Sequence, residues 1–245
     1  MIDNYTYIVA EIGQNHEGNY ENLFELTSEA IASGVDFIKY QAWNVDNVYH
    51  KEDTRYEQAK KREIYYQDLE SVIEWATTHG YKDRIIISNF GDYDLKQLKY
   101  IPKVAVCQEK QHNGVVRSLS IYDYFVHRKT LSREDVNLIC VPKYPAQKQE
   151  YKLGLNMMVE LIESGYKTGI SDHTVDLDIV KIAISAGANM IEKHFTLNRL
   201  KTSSKFHDHQ VSMDETQLRE LIAFRNELQN ADYKRQIWGK RELKR

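Results

Sequence analysis

Short apolar runs of about six residues alternate with amphipathic stretches twice as long over most of the chain. This is the pattern of strand–helix units wound around a parallel sheet. The first run, 7–12, precedes a helix expected over 19–33, with Leu23, Phe24, Leu26, Ala30 and Ile31 on one side and a stop at Gly34. Strands follow at 36–41, 84–88 and 104–107, with a long helix ending near His79–Gly80 and a short one over 92–100. Later in the chain the expected order is helix 153–164, strand 168–171, helix 177–186 and strand 190–194. Ser212 and Glu215 are spaced as a capping box for a last helix reaching about Leu228.

The stretch 108–135 breaks the rhythm. Residues 114–120 read as one or two helical turns, and 124–128 as a fifth strand. Only 129–135 then connects to a sixth strand at 136–141, too little for a helix that crosses a sheet. One outer helix is therefore expected to be missing. Eight strands in about 190 residues predict an α/β fold, a (β/α)₈ TIM barrel with one unit abbreviated around 108–135. An open doubly wound sheet is the alternative, and no G-x-G-x-x-G after the first strand supports it. The barrel is expected over 1–231, with a basic tail over 232–245 carrying six basic residues and Trp238.

Composition narrows the function class. With 245 residues, a net charge of −3 and 28% charged residues, the chain lacks the basic excess of a nucleic-acid binder. No apolar run approaches the ~20 residues of a membrane span. Cys107 and Cys140 sit in apolar segments without C-x-x-C spacing and read as inert core residues of a reducing cytoplasm.

In such barrels the chemistry gathers at the carboxyl ends of the strands, and here the polar residues collect there. Strand one delivers Glu11 and His16, strand two Lys39 and Gln41, strand six Lys143 and Tyr144. Strand seven delivers Ser171, Asp172 and His173, and strand eight Glu192, Lys193 and His194. A lysine inside an apolar strand is costly unless paired or used, which singles out Lys39. His173 and His194 end consecutive strands. Parallel neighbours lie about 4.8 Å apart, so both imidazoles can reach one ion at roughly 2.0–2.2 Å. Two histidines leave coordination positions open, as a Lewis-acid site requires. Taken singly, each also reads as a hydrogen-bonded residue at a loop start.

Five segments resemble the sialic acid synthase (N-acetylneuraminate synthase) family, in order, across nearly the whole chain. Ala10-Glu11-Ile12-Gly13-Gln14-Asn15-His16-Glu17-Gly18 is similar to its A-E-I-G-x-N-H-x-G opening. Ile38-Lys39-Tyr40-Gln41, Tyr144-Pro145, Gly169-Ile170-Ser171-Asp172-His173-Thr174 and Ile191-Glu192-Lys193-His194-Phe195-Thr196 match the later segments. The resemblance implies a metal-dependent condensation of phosphoenolpyruvate with a sugar aldehyde, an N-acetylhexosamine, to a sialic-acid-like keto acid and phosphate. It implies a divalent ion, Mn²⁺ or Mg²⁺, on His173 and His194, and Lys39 and Ser171 holding the anionic donor. Glu11 would handle a proton or orient substrate, and Gln41, Tyr144 and Asp208 would contact the sugar. Asp172 and Glu192 would orient the histidines or nearby loops.

The chain also departs from the family. The strand-four lysine and serine of K-I-x-S-G are replaced in Val104-Ala105-Val106-Cys107-Gln108-Glu109-Lys110, and the fifth-strand S-T-G is missing. His127, Arg128 or Lys129 is expected to supply a replacement anion contact, with a solvated basic turn as the alternative. The family's C-terminal antifreeze-like domain is not matched, so either a separate protein is expected to provide its cover or the acceptor is a smaller or larger one, and a homodimer is expected as in the family. Two further readings stand beside the synthase: a metal-dependent aldolase or lyase acting on another enolisable donor, and a non-catalytic barrel that binds a sugar or a partner.

Overall fold

The computed structural model describes residues 5–90, 103–107, 115–204 and 206–230, with the backbone alone at 103–107 and at residue 127. Eight parallel strands close into a barrel: β1 (Tyr7–Gly13), β2 (Phe37–Trp43), β3 (Ile85–Phe90), β4 (Lys103–Cys107), β5 (Val116–Ser120), β6 (Val136–Cys140), β7 (Lys167–Asp172) and β8 (Met190–His194). The helices α1 (Tyr20–Ala32), α2 (Val45–Val48), α3 (Tyr56–Lys60), α4 (Tyr66–Ala76), α5 (Tyr124–His127), α6 (Tyr151–Glu163), α7 (Asp178–Ser185), α8 (Asn198–Ser203), α9 (His207–Val211) and α10 (Glu215–Gln229) surround it. The (β/α)₈ expectation is met. The expected helix over 92–100 and the tail over 232–245 lie outside the described residues.

Alternation along each strand divides the barrel into an outer shell and an inner stack. Outward residues such as Ile8, Ala10, Ile38, Ile87, Ile139 and Ile191 pack beneath apolar helix faces, including Leu23, Leu26 and Ala30 of α1. Inward, Val9, Ile86, Val116, Leu138 and Met190 form an apolar plug at the lower end. One step up each strand, the same inward face becomes polar: Glu11, Lys39, Ser88, Ser118, Cys140, Ser171 and Glu192. The plug fills the barrel's lower half with side chains, so the polar residues face the space above it. Arg225 of α10 closes the lower end, its Nη1 donating to Thr6 O (2.8 Å) and Asp36 Oδ2 (2.6 Å).

The abbreviated unit differs from expectation in detail. The fifth strand is 116–120, where helical turns were expected, and 124–127 is the helix α5, followed by a 3₁₀ turn at Arg128–Thr130. Val116, Ser118 and Ser120 alternate inward, and two of them face a polar pocket, so the strand lacks the apolar face that marks a typical strand. The apolar run at 124–126 misleads for the opposite reason: Tyr124 is buried, while Phe125 and Val126 are 70% and 73% exposed. These helical turns stand where a full outer helix was expected to be missing. The capping box of α10 also shifts. Asp214 Oδ1 accepts from Gln217 N (3.0 Å) and Gln217 Oε1 accepts from Asp214 N (3.2 Å), while Ser212 Oγ donates to Asp208 O (2.6 Å).

Asp172 and Lys193 stand side by side on the outer faces of β7 and β8. Their ion pair spans 2.6 Å with both side chains wholly buried. Lys193 Nζ also donates to Thr174 O (2.7 Å), and Asp172 accepts from Thr174 N (3.1 Å) and Oγ1 (2.9 Å). The pair thereby fixes the turn that carries the chain away from His173. Breaking a buried pair by removing one partner strands a charge in apolar surroundings. Lys193→Met is expected to lower the unfolding free energy by about 3–5 kcal/mol in urea denaturation; a loss below about 1 kcal/mol would show that Asp172 finds water.

Candidate active site

The polar inner layer and the loops above it enclose a pocket of about 320 Å³. It is lined by Glu11, Lys39, Gln41, Ser88, Phe90, Ser118, Ser120, Cys140, Pro142, Tyr144, Ser171, His173, Glu192 and His194. Of the residues singled out in the sequence, Glu11, Lys39, Gln41, Tyr144, Ser171, His173 and His194 converge here.

His173 leaves β7 and is held on three sides. Its Nδ1 lies 2.8 Å from Val141 O, its N–H donates to Tyr151 Oη (3.0 Å), and its carbonyl accepts from Ala146 N (2.9 Å). A carbonyl can only accept, so Nδ1 carries the proton and Nε2 keeps a lone pair. The Tyr144 hydroxyl lies 2.9 Å from that Nε2, and the phenol ring stacks on the imidazole with centroids 4.1 Å apart. His194 ends β8 with its ring centroid 5.6 Å from that of His173. Its Nδ1 is buried without a hydrogen-bond partner. A Cβ on Gly13 (φ +53°) would lie 3.1 Å from this ring, so the glycine both takes the left-handed turn and leaves room for the imidazole.

Burial lowers the pKa of both histidines, and for His194 the neighbouring His173 lowers it further. Both are therefore neutral at pH 7, the form that binds metal. The two neutral imidazoles on adjacent strands fit a divalent ion in part: His194 Nδ1 is unpartnered, while the His173 Nε2 lone pair is taken by the Tyr144 hydroxyl, which an ion would have to displace. No group of three or more His, Cys, Asp or Glu gathers as a ligand set among the described residues, so such an ion would draw its other ligands from water or substrate.

Below the histidines, the Lys39 ammonium sits between Glu11 Oε2 (2.6 Å) and Glu192 Oε2 (2.9 Å), and Ser171 Oγ donates to Glu192 Oε1 (2.8 Å). Burial alone would lower Lys39, but the two carboxylates outweigh it and hold the lysine charged above its usual range. Burial would raise Glu192, but Lys39 and Ser171 hold it below the ordinary value. Glu11 goes the other way: burial, abetted by Glu192 and Asp208, outweighs Lys39 and raises it to about 7. Its Oε1 has no hydrogen-bond partner, which leaves room for a proton. Glu192 thus lines the pocket itself, bound to Lys39 and Ser171.

The remaining expectations divide. Asp208 on α9 is half-buried and close enough for His173 to act on its charge, but it does not line the pocket. Arg128 lies away from the pocket, pairing with Glu160 of α6 at 2.7 Å and half exposed. The helical turns at 124–130 point it outward, where a strand would have carried residues to the rim. The His127 side chain lies outside the described residues, as does 108–110 of the strand-four departure. Cys140, read as inert core, is buried but lines the pocket, with Ser118 Oγ 3.4 Å from its Sγ. Ser88, Ser118, Ser120 and Phe90 were missed. Alternation in Arg117-Ser118-Leu119-Ser120 was the signal for two of them.

This geometry is that of a (β/α)₈ enzyme with its site at the carboxyl ends of the strands. The NeuB family model matches residues 104–236, more than half of the chain, and the chain belongs to the NeuB family. It is 28% identical to the N,N'-diacetyllegionaminic acid synthase of Legionella pneumophila over 88% of this chain and 70% of that protein. It is 28% identical to a pseudaminic acid synthase of Helicobacter pylori over 78% of this chain and 66% of that protein. Among solved structures, the N-acetylneuraminic acid synthetase of Leptospira borgpetersenii superposes with a TM-score of 0.70 at 20% identity, covering 98% of this chain and 90% of that one. No described helix is long and apolar enough to cross a membrane.

In the folded chain Glu11 keeps its proton up to about pH 7, against an ordinary value of 4.5. The folded state therefore holds an extra proton between these values, and stability falls as pH rises through that window. Glu11→Gln is expected to remove this slope in urea unfolding compared between about pH 5 and pH 7. Parallel wild-type and variant curves would show that Glu11 is ionised throughout.

Proposed function

We propose that the chain condenses phosphoenolpyruvate with a sugar aldehyde, with a divalent ion, Mn²⁺ or Mg²⁺, held by His173 and His194. The observation that carries this reading is the pairing of those two neutral imidazoles directly above a Lys39–Glu11–Glu192 cluster, in one pocket. Membership of a family of sugar-acid synthases supports the reaction class. In the reaction the enol carbon bonds to the aldehyde carbon, water adds to the former enol-phosphate carbon, phosphate leaves, and the aldehyde oxygen gains a proton.

What a bound divalent ion supplies at such a site is Lewis-acid polarisation of the aldehyde oxygen. The chain's own groups divide the rest. Lys39, with a third N–H beyond its two carboxylate bonds, reaches the anionic donor. The Ser88, Ser118 and Ser120 hydroxyls, on β3 and β5, line the part of the pocket across from the histidines and serve as further donors. Glu11, titrating near neutrality, exchanges the proton. Gln41 and Tyr144 contact the aldose, with Asp208 behind them. A cytoplasmic location fits this reading, as does the lack of C-x-x-C spacing between Cys107 and Cys140.

A second reading keeps the barrel and the ion but replaces phosphoenolpyruvate with another enolisable donor. It is favoured by the lining itself: among the described residues no arginine faces the pocket, and its one ammonium is already shared by two carboxylates.

Incubating Mn²⁺-loaded protein with phosphoenolpyruvate and a panel of aldoses, N-acetylhexosamines included, tests this by phosphate release and product mass. Phosphate released only when an aldose is present supports the synthase. A new adduct from a different donor, without phosphate, moves the assignment to the second reading. His173→Ala and His194→Ala are each expected to lower Mn²⁺ affinity, read by electron paramagnetic resonance, at least tenfold with the fold intact by circular dichroism. Full affinity in either variant removes that histidine from the site.

A further inference from the structure

The inward face of β2 continues past Lys39 and Gln41 to Trp43 at the rim. The Trp43 indole stacks with two rings, Phe90 (centroids 4.7 Å apart, 23° between planes) and Tyr49 (6.2 Å, 7°). The Arg55 guanidinium lies over the Tyr49 ring, 4.9 Å from its centroid. A ring held this way has little freedom to rotate, so the direction of its N–H is fixed. That N–H donates to Gln41 Oε1 at 3.1 Å.

An indole N–H can donate and never accept, so the amide atom facing it must be the oxygen. Gln41 therefore cannot flip without placing its NH₂ against another donor. Its Nε2 is turned toward Gly13 and His194: a Cβ on Gly13 would lie 3.5 Å from Gln41 Nε2 and 3.1 Å from the His194 ring. The absent side chain of Gly13 leaves a gap that both groups border, and among the described residues no acceptor takes a hydrogen bond from that NH₂.

We propose that Trp43 is a positioning residue that fixes Gln41 as a hydrogen-bond donor beside His194. The sugar aldehyde must then present an accepting oxygen, a hydroxyl or acyl carbonyl, at that point. An unclamped glutamine could offer either face and would tolerate a donor or an acceptor there. The inference rests on the reading of this pocket as an aldose site. Phe90, which both lines the pocket and stacks on Trp43, ties the indole to the pocket wall.

The experiment compares wild type with Trp43→Phe, which keeps the stack and loses the N–H, and with Gln41→Ala and the double variant. With the aldose that supports turnover, Trp43→Phe is expected to raise its KM about fivefold, with kcat and the KM for phosphoenolpyruvate within about twofold. In the Gln41→Ala background the same substitution is expected to change nothing further, which a general packing defect would not produce. Gln41→Glu, which still accepts from the indole but has no NH₂, is expected to lose aldose affinity as Gln41→Ala does. An unchanged aldose KM in Trp43→Phe, or an equal loss with and without Gln41, overturns the positioning role while leaving the synthase reading in place. Absence of phosphate release from wild type with every aldose overturns that reading, and this inference with it.

Discussion

An ammonium inside a barrel must be neutralised where it stands, because an isolated buried charge costs several kcal/mol even after relaxation. Lys39 meets that constraint by binding Glu11 of the strand on one side and Glu192 two strands away across the interior. The three side chains tie β1, β2 and β8 together at one level and set where the apolar plug ends and the pocket begins. They also share a charge that cannot be divided evenly. Two carboxylates on one lysine leave one of them readily protonated. Ser171 helps hold Glu192 ionised, and the proton falls to Glu11, whose second oxygen has no partner. A demand of folding therefore produces a group that titrates near neutrality.

The histidines depend on the same scaffold. Each stands two residues beyond a member of the lower layer, His173 above Ser171 and His194 above Glu192, on the same inward face. Behind them, on the outer face, the Asp172–Lys193 pair locks the two strands at the intervening positions. The run Ser171-Asp172-His173 and the run Glu192-Lys193-His194 thus alternate between two tasks. The inward members line the pocket, and the outward members hold the strand ends, so that the two imidazoles stand with their centroids 5.6 Å apart.

Much of this was legible from the order of residues. Period-two and period-three-to-four patterns located seven of the eight strands near their places, because an outer strand face buried under a helix must be apolar. The same logic exposed Lys39: a charge in an otherwise apolar run is there for a partner or a substrate. It failed where the partner was not a helix face. The fifth strand presents serines to a pocket, and its neighbouring apolar run, Phe125 and Val126, is exposed, so pattern and burial part company there. Arg128 followed that misplaced strand into the predicted site and belongs with Glu160 outside it.

The sequence by itself determined the barrel, the ends of the strands where chemistry gathers, and the two histidines and lysine that stand there, since each follows from residues close together in the chain. Which residues meet was decided only by closure of the barrel. Glu11 and Glu192 lie 181 positions apart and share Lys39; Gln41 acquires a direction from Trp43 only because Phe90 and Tyr49 hold the indole. Protonation state and donor direction are properties of contacts, and contacts between distant segments exist only once the chain has folded.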